Sequence, residues 1–172
     1  MYQNKFAVKR MNFEIRKAIE ADKTEVWKII QAIISAGDSY VFYPDSTKEK
    51  MLEYWFGEEK ETYVAILDKE ILGTFFLKAN QPDLGSHICN AGYMVSSEAK
   101  GKGIGRKMAE FSLPEAKRLG FKAMQFNFVV KSNEIAVKLW LNLGFEIIGE
   151  IPEVFQHKDL GLVNALIMYR KL

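Results

Sequence analysis

Cysteine is almost missing from this chain: Cys89 stands alone among 172 residues. An internal disulfide is therefore excluded and a cysteine-based metal site has no ligand set to draw on. A reducing cytoplasm is the compartment that fits. Histidine is nearly as scarce. His87 and His157 have no Cys, Asp or Glu neighbour at metal-ligand spacing, so no metal is expected and a structural or surface role suits both. Long apolar runs are missing too. None approaches the ~18–20 residues that span a bilayer, and no apolar h-region opens the chain; no membrane partner is expected. Charge of one sign is also lacking. With 24 basic against 22 acidic residues the net charge is +2, too little for wholesale nucleic-acid binding.

What remains has the composition of a globular protein, 48% hydrophobic and 27% charged. Its length suits one domain. Patterned sequence begins at Phe13, so residues 1–10 are expected as an N-terminal extension, disordered or not native, with a single domain over 11–172.

Periodicity then lays out the elements. Phe13 and Ile15 begin a first strand. Asp22, with Glu25 three residues on, predicts a capped helix whose Val26, Ile29, Ile30, Ile33 and Ile34 share a face and whose end is Gly37. An aromatic loop (Tyr40, Phe42, Tyr43) follows. Ser46 or Thr47 caps a short helix carrying Met51, Leu52, Trp55 and Phe56. Strands are expected at 62–67, 71–78 and 87–95, then a helix to Leu119. A strand at 121–130, a helix at 133–143 and strands at 146–154 and 165–169 complete the order βααβββαβαββ. That order describes mixed α/β with a largely antiparallel sheet of about seven strands, four main helices and one parallel crossover. Pro114 breaks a local rule inside the third helix, predicting a kink near Glu110 or a break with a new first turn.

The most informative stretch is KGKGIGRKM, from Lys100 to Met108. Gly101, Gly103 and Gly105 let the backbone curl and present N–H groups. Lys100, Lys102, Arg106 and Lys107 surround them, and the helix that follows adds free donors and a partial positive charge. This is the build of a phosphate cradle. It is not a Walker loop, since Arg106 stands where Lys-Ser/Thr is required. Nor is it a dinucleotide fingerprint, because the third glycine is missing and the loop follows a late strand.

These residues resemble the GNAT superfamily of acyl-CoA-dependent N-acyltransferases. The family's pyrophosphate loop has the form Gln/Arg-x-x-Gly-x-Gly/Ala, matched by Lys100-Gly101-Lys102-Gly103-Ile104-Gly105 with Lys first. A second family block, Asn-x-x-Ala-x-x-Leu-Tyr-x-x-x-Gly-Phe, is matched by Asn133, Ala136, Leu139, Gly144 and Phe145, with Trp140 at the tyrosine position.

The resemblance implies a GNAT-like fold and a cytoplasmic N-acetyltransferase moving acetyl from acetyl-CoA (or binding coenzyme A) to a small-molecule or peptide amine, with no metal. It implies that the fourth and fifth strands splay and that pantetheine pairs with backbone of Met94 and Val95. The N–H groups from Gly101 to Arg106 would hold the pyrophosphate. Asn133 would contact the cofactor arm or simply cap a helix, and Trp140 would pack beside the cofactor. The family's usual phenolic acid is absent, leaving Tyr93 as the nearest phenol, either an acid or a packing residue. No carboxylate emerges as base, since Asn90 occupies a place where some relatives carry an acid. The alternative is an acyl-CoA-binding sensor that has lost catalysis. The acceptor amine is not legible, and an exposed strand or helix could pair two copies into a homodimer.

Overall fold

In the computed structural model, which describes residues 12–99 and 101–172, seven strands form one sheet in the order β1-β2-β3-β4-β5-β7-β6. The strands are β1 (Phe13–Lys17), β2 (Glu61–Leu67), β3 (Glu70–Ala79), β4 (Ile88–Val95), β5 (Ala123–Val130), β6 (Glu146–His157) and β7 (Gly161–Lys171). The helices are α1 (Lys23–Ala36), α2 (Lys48–Trp55), α3 (Ile104–Arg118) and α4 (Glu134–Asn142). Every strand pair is antiparallel except β4–β5. The expected GNAT-like mixed sheet is what forms. The proposed extension at 1–10 lies outside the described residues.

Alternation along the strands splits the core in two. Tyr63, Phe75, Leu77, Cys89, Met124 and Phe126 turn to the face covered by α3 and α4. Their neighbours Val64, Phe76 and Met94 turn to the opposite face, against Ile30 and Ile34 of α1 and Met51 and Trp55 of α2. No helix among the described residues is long and apolar enough to cross a membrane.

Local expectations hold in places and fail in others. Gly37 ends α1 at φ 64°, with its N–H on Ile34 O, and Thr47 caps α2 through Lys50 N–H. Asp22, by contrast, makes no side-chain cap to α1. Its carboxylate takes both guanidinium N–H groups of Arg16 at 2.7 and 2.9 Å and the Ile19 N–H. A charged partner on β1 outcompetes the neutral helix donors. Of the kink near Glu110 or break expected from Pro114, the break does not form: α3 runs unbroken from Ile104 to Arg118. Pro114 and Glu110 lie exposed, so water can satisfy the carbonyl that proline leaves unpaired, while buried Leu113 and Ala116 anchor the turn. Strand β6 runs past the expected 146–154, and β7 contains the 165–169 expected as part of it. A bulge between Ile151 and Phe155 interrupts pairing at Pro152, and Asn164 Oδ1 accepts the Glu153 N–H there before pairing resumes to His157.

Candidate active site

The parallel strands β4 and β5 pair only at Ile88–Ala123 and Cys89–Met124 and then part. Which groups face the gap follows from register. Asn80 N–H bonds to Ile88 O and Ser96 N–H to Leu72 O. In an antiparallel ladder hydrogen-bonded residues alternate, so the backbone of Asn90, Gly92 and Met94 faces β3, while that of Ala91, Tyr93 and Val95 faces β5. Past Cys89 these donors and acceptors have lost their strand partner. The expectation that Met94 backbone meets pantetheine is therefore corrected: Met94 sits opposite Thr74 in the β3 ladder, and its side chain is buried. Val95 does face the gap.

The gap opens into a cavity of about 570 Å³ lined by Tyr93, Val95, Gly105, Asn133, Ala136 and Trp140 among others. At its end stands the start of α3. Gly101 and Gly103 adopt φ 76° and 69°, and nothing lies within 4 Å of where a Cβ would sit on either. Such a backbone costs other residues about 1–2 kcal/mol. Lys107 N–H makes the first helical bond, to Gly103 O, so the N–H groups of Ile104, Gly105 and Arg106 precede any helical acceptor. Lys102 N–H is already spent on Ala99 O. The buried Ile104 side chain pins the helix start to the core. Among the cations, Arg106 pairs with Glu110 at 2.7 Å and Lys107 rests 4.4 Å over the Phe13 ring. Lys100 lies outside the described residues.

Asn133 caps α4, accepting the Ala136 N–H at 3.2 Å, and also lines the cavity; its amide donors remain for a ligand. Trp140 is buried between Tyr93 and Phe126, ring centroids 4.9 and 4.5 Å away. Tyr93 is held tightly. Ser112 gives its own proton to Ala109 O at 2.8 Å, so the Tyr93 hydroxyl donates to Ser112 Oγ at 2.7 Å. Burial pushes this phenol well above its ordinary pKa.

Two features escaped the sequence. Tyr40, from the α1–α2 loop, donates to Tyr93 O at 2.8 Å and so occupies one of the gap-facing carbonyls. Asn80 Oδ1 accepts from Asn127 at 2.6 Å and from Asn90 at 3.3 Å, while Gln125 donates to Asn127. Gln125 and Asn127 alternating with Met124, Phe126 and Phe128 were the available signal. His87 and His157 join no metal cluster; among the described residues no group of three or more His, Cys, Asp or Glu comes together.

Known proteins share this build. Residues 27–145 match the acetyltransferase (GNAT) family. The N-acetyltransferase aca1 of Schizosaccharomyces pombe is 42% identical over 98 residues, 56% of this chain and 47% of that protein; the chain thus spans about half of that relative. A GCN5-related N-acetyltransferase from Kribbella flavida superposes with a TM-score of 0.88 at 38% identity, covering 93% of this chain and 98% of that one. A phosphinothricin acetyltransferase from Sinorhizobium meliloti in complex with AcCoA shares the fold, with a TM-score of 0.82 at 21% identity over 93% of this chain and 88% of that one. With the family match running from α1 through the parted strands to Phe145, the chain belongs to the GNAT family of acetyltransferases.

Proposed function

We propose that this protein is an N-acetyltransferase that moves acetyl from acetyl-CoA to a primary amine by direct attack in a ternary complex. One observation carries the proposal: a gap edged by unpaired strand backbone ends at a glycine-lined helix start. A diphosphate fits the second feature, because N–H donors and the helix dipole converge there. A chain carrying amides fits the first, because it can pair with the Val95 N–H and C=O as a strand would.

Each residue then has a task. Ile104, Gly105 and Arg106 bind phosphate oxygens through backbone N–H, with Gly101 and Gly103 keeping the approach clear and Lys100 and Lys102 adding field. Asn133 offers its side-chain amide to the pantetheine arm. A gap-facing N–H at Tyr93 or Val95 polarises the thioester carbonyl, and juxtaposition of the two substrates lowers the entropic cost of reaction. Trp140 Nε1–H is a donor for the departing sulfur. We assign Tyr93 to the wall of the cleft rather than to acid catalysis, since its proton already has an acceptor in Ser112.

The assignment is tested by calorimetric titration of acetyl-CoA into the protein and into Gly103→Glu. The added carboxylate would repel the diphosphate, so binding falls at least a hundredfold while the circular dichroism spectrum is kept. Unchanged affinity contradicts the site. Thiol release above the hydrolysis background, with an amine panel, separates an acetyltransferase from the alternative of an acyl-CoA sensor.

A further inference from the structure

The cavity contains no charged side chain among its described lining residues: carboxamides, phenols, one serine and apolar groups make up its wall. Attack requires an amine with a free lone pair, and an alkylammonium with a pKa of about 10.4 is neutral in only about 1 in 2,500 molecules at pH 7. Some group would have to take its proton.

The surrounding titratable groups are otherwise engaged. On the α1–α2 loop, Asp38 accepts the Ser39 hydroxyl at 2.9 Å. At the start of β2, the Lys60 ammonium pairs with Glu59 at 2.8 Å and lies 4.0 Å over Tyr54 and 5.3 Å over Phe76, both wall residues. On β3, Lys78 stands opposite Asn90. On α4, Glu134 pairs with Lys138 at 3.0 Å, and beyond β5 Lys131 pairs with Glu150 at 2.7 Å. On β6, His157 is separated from wall residue Phe128 by Phe155, and its Nδ1 accepts the Asp159 and Leu160 N–H groups. The wall phenols Tyr40, Tyr54 and Tyr93 all have pKa values raised by burial. Residues 1–11 and Lys100 include no Asp, Glu or His.

The wall of this site offers an ammonium no counter-charge. Asn90 gives its amide proton to Asn80, which leaves its Oδ1 to accept an N–H from a neutral amine. An amide oxygen accepts a hydrogen bond without taking the proton.

We propose that the acceptor is an amine already uncharged near neutrality, carried on an apolar or aromatic body, and that the protein provides no side-chain base for it. This inference rests on the acetyl-transfer reading above. The amine lone pair forms the C–N bond, the C–S bond breaks with its electron pair leaving on sulfur, and the proton shed by nitrogen passes through solvent to the thiolate.

The test compares phenylalaninamide, an α-amine of pKa near 7.7–8.0 by its class, with 2-phenylethylamine, an alkyl amine near 10.4. Both carry the same aromatic body. At pH 7 the neutral fractions alone favour phenylalaninamide about 300-fold, so kcat/KM should exceed that for phenylethylamine by a hundredfold or so. The rising limb of each pH profile should follow the amine's own pKa, and Asp38→Asn should leave both limbs in place. Asn90→Asp installs a carboxylate and should raise relative use of phenylethylamine by about tenfold or more. A limb at one pH shared by both amines, equal rates at pH 7, or loss of the limb in Asp38→Asn overturns this inference while leaving acetyl transfer standing. No thiol release with either aromatic amine while another amine of the panel is acetylated overturns this inference alone, and no release with any amine at any pH, despite acetyl-CoA binding, overturns both.

Discussion

Glu115 shows how one side chain can make the fold sensitive to acid. It sits on α3, where its carboxylate accepts two hydrogen bonds from Arg118, both at 2.7 Å, and one from the Tyr63 hydroxyl at 2.6 Å. The Arg118 hydrogen bonds are the main reason its pKa is held at about 2. A depressed carboxylate contributes stability above its unfolded pKa, near 4.5, and loses that contribution as pH falls toward 2. Glu115→Gln should therefore lower Tm by a few degrees at pH 7, with the gap closing between about pH 4.5 and 2. Tm measured across that window checks it; a constant gap contradicts the assignment. The Tyr63 contact was not visible in the sequence, because Tyr63 lies 52 positions from Glu115. The same is true of Asp22, whose spacing to Glu25 fits a capping box until Arg16 claims it. Gly101 and Gly103 before α3 were legible because positive φ leaves a mark on composition itself.

At the scale of elements, the β2–β3 connection carries measurable strain. Asp68 and Lys69 both adopt positive φ, 49° and 76°, the two-residue turn that favours Asn-Gly. Lys69→Gly relieves the left-handed penalty at a smaller entropic cost and should stabilise the protein by about 0.5–1 kcal/mol. A higher urea midpoint at unchanged m-value is the expected result, and a lower one contradicts it. Elements were legible wherever one face repeats at 3.6 or 2, as in Val26, Ile29, Ile30 and Ile34 of α1 or Phe75 and Leu77 of β3. They were misjudged where a single residue breaks the pattern without breaking the structure. Pro114 is tolerated because it faces water, and β6 continues past Pro152 because Asn164 fills the bulge.

The whole molecule is a sheet divided by its one parallel pair. Helices α1 and α2 cover one face and α3 and α4 the other, and the division lets a ligand reach between them without unfolding either core. The order of elements and the two motif blocks made this division legible in advance. The identity of the edge backbone did not follow from them: whether Met94 or Val95 faces the gap depends on a register set by β3, which local spacing does not encode. The carboxamide cluster likewise assembles only when β3, β4 and β5 come side by side. The most direct test of the account is a crystal structure with coenzyme A bound. It should show the diphosphate on the N–H groups of Ile104, Gly105 and Arg106 and the pantetheine amides paired with Val95, with Met94 still bonded to β3. Coenzyme A bound elsewhere, or β4 and β5 paired along their full length, would contradict it.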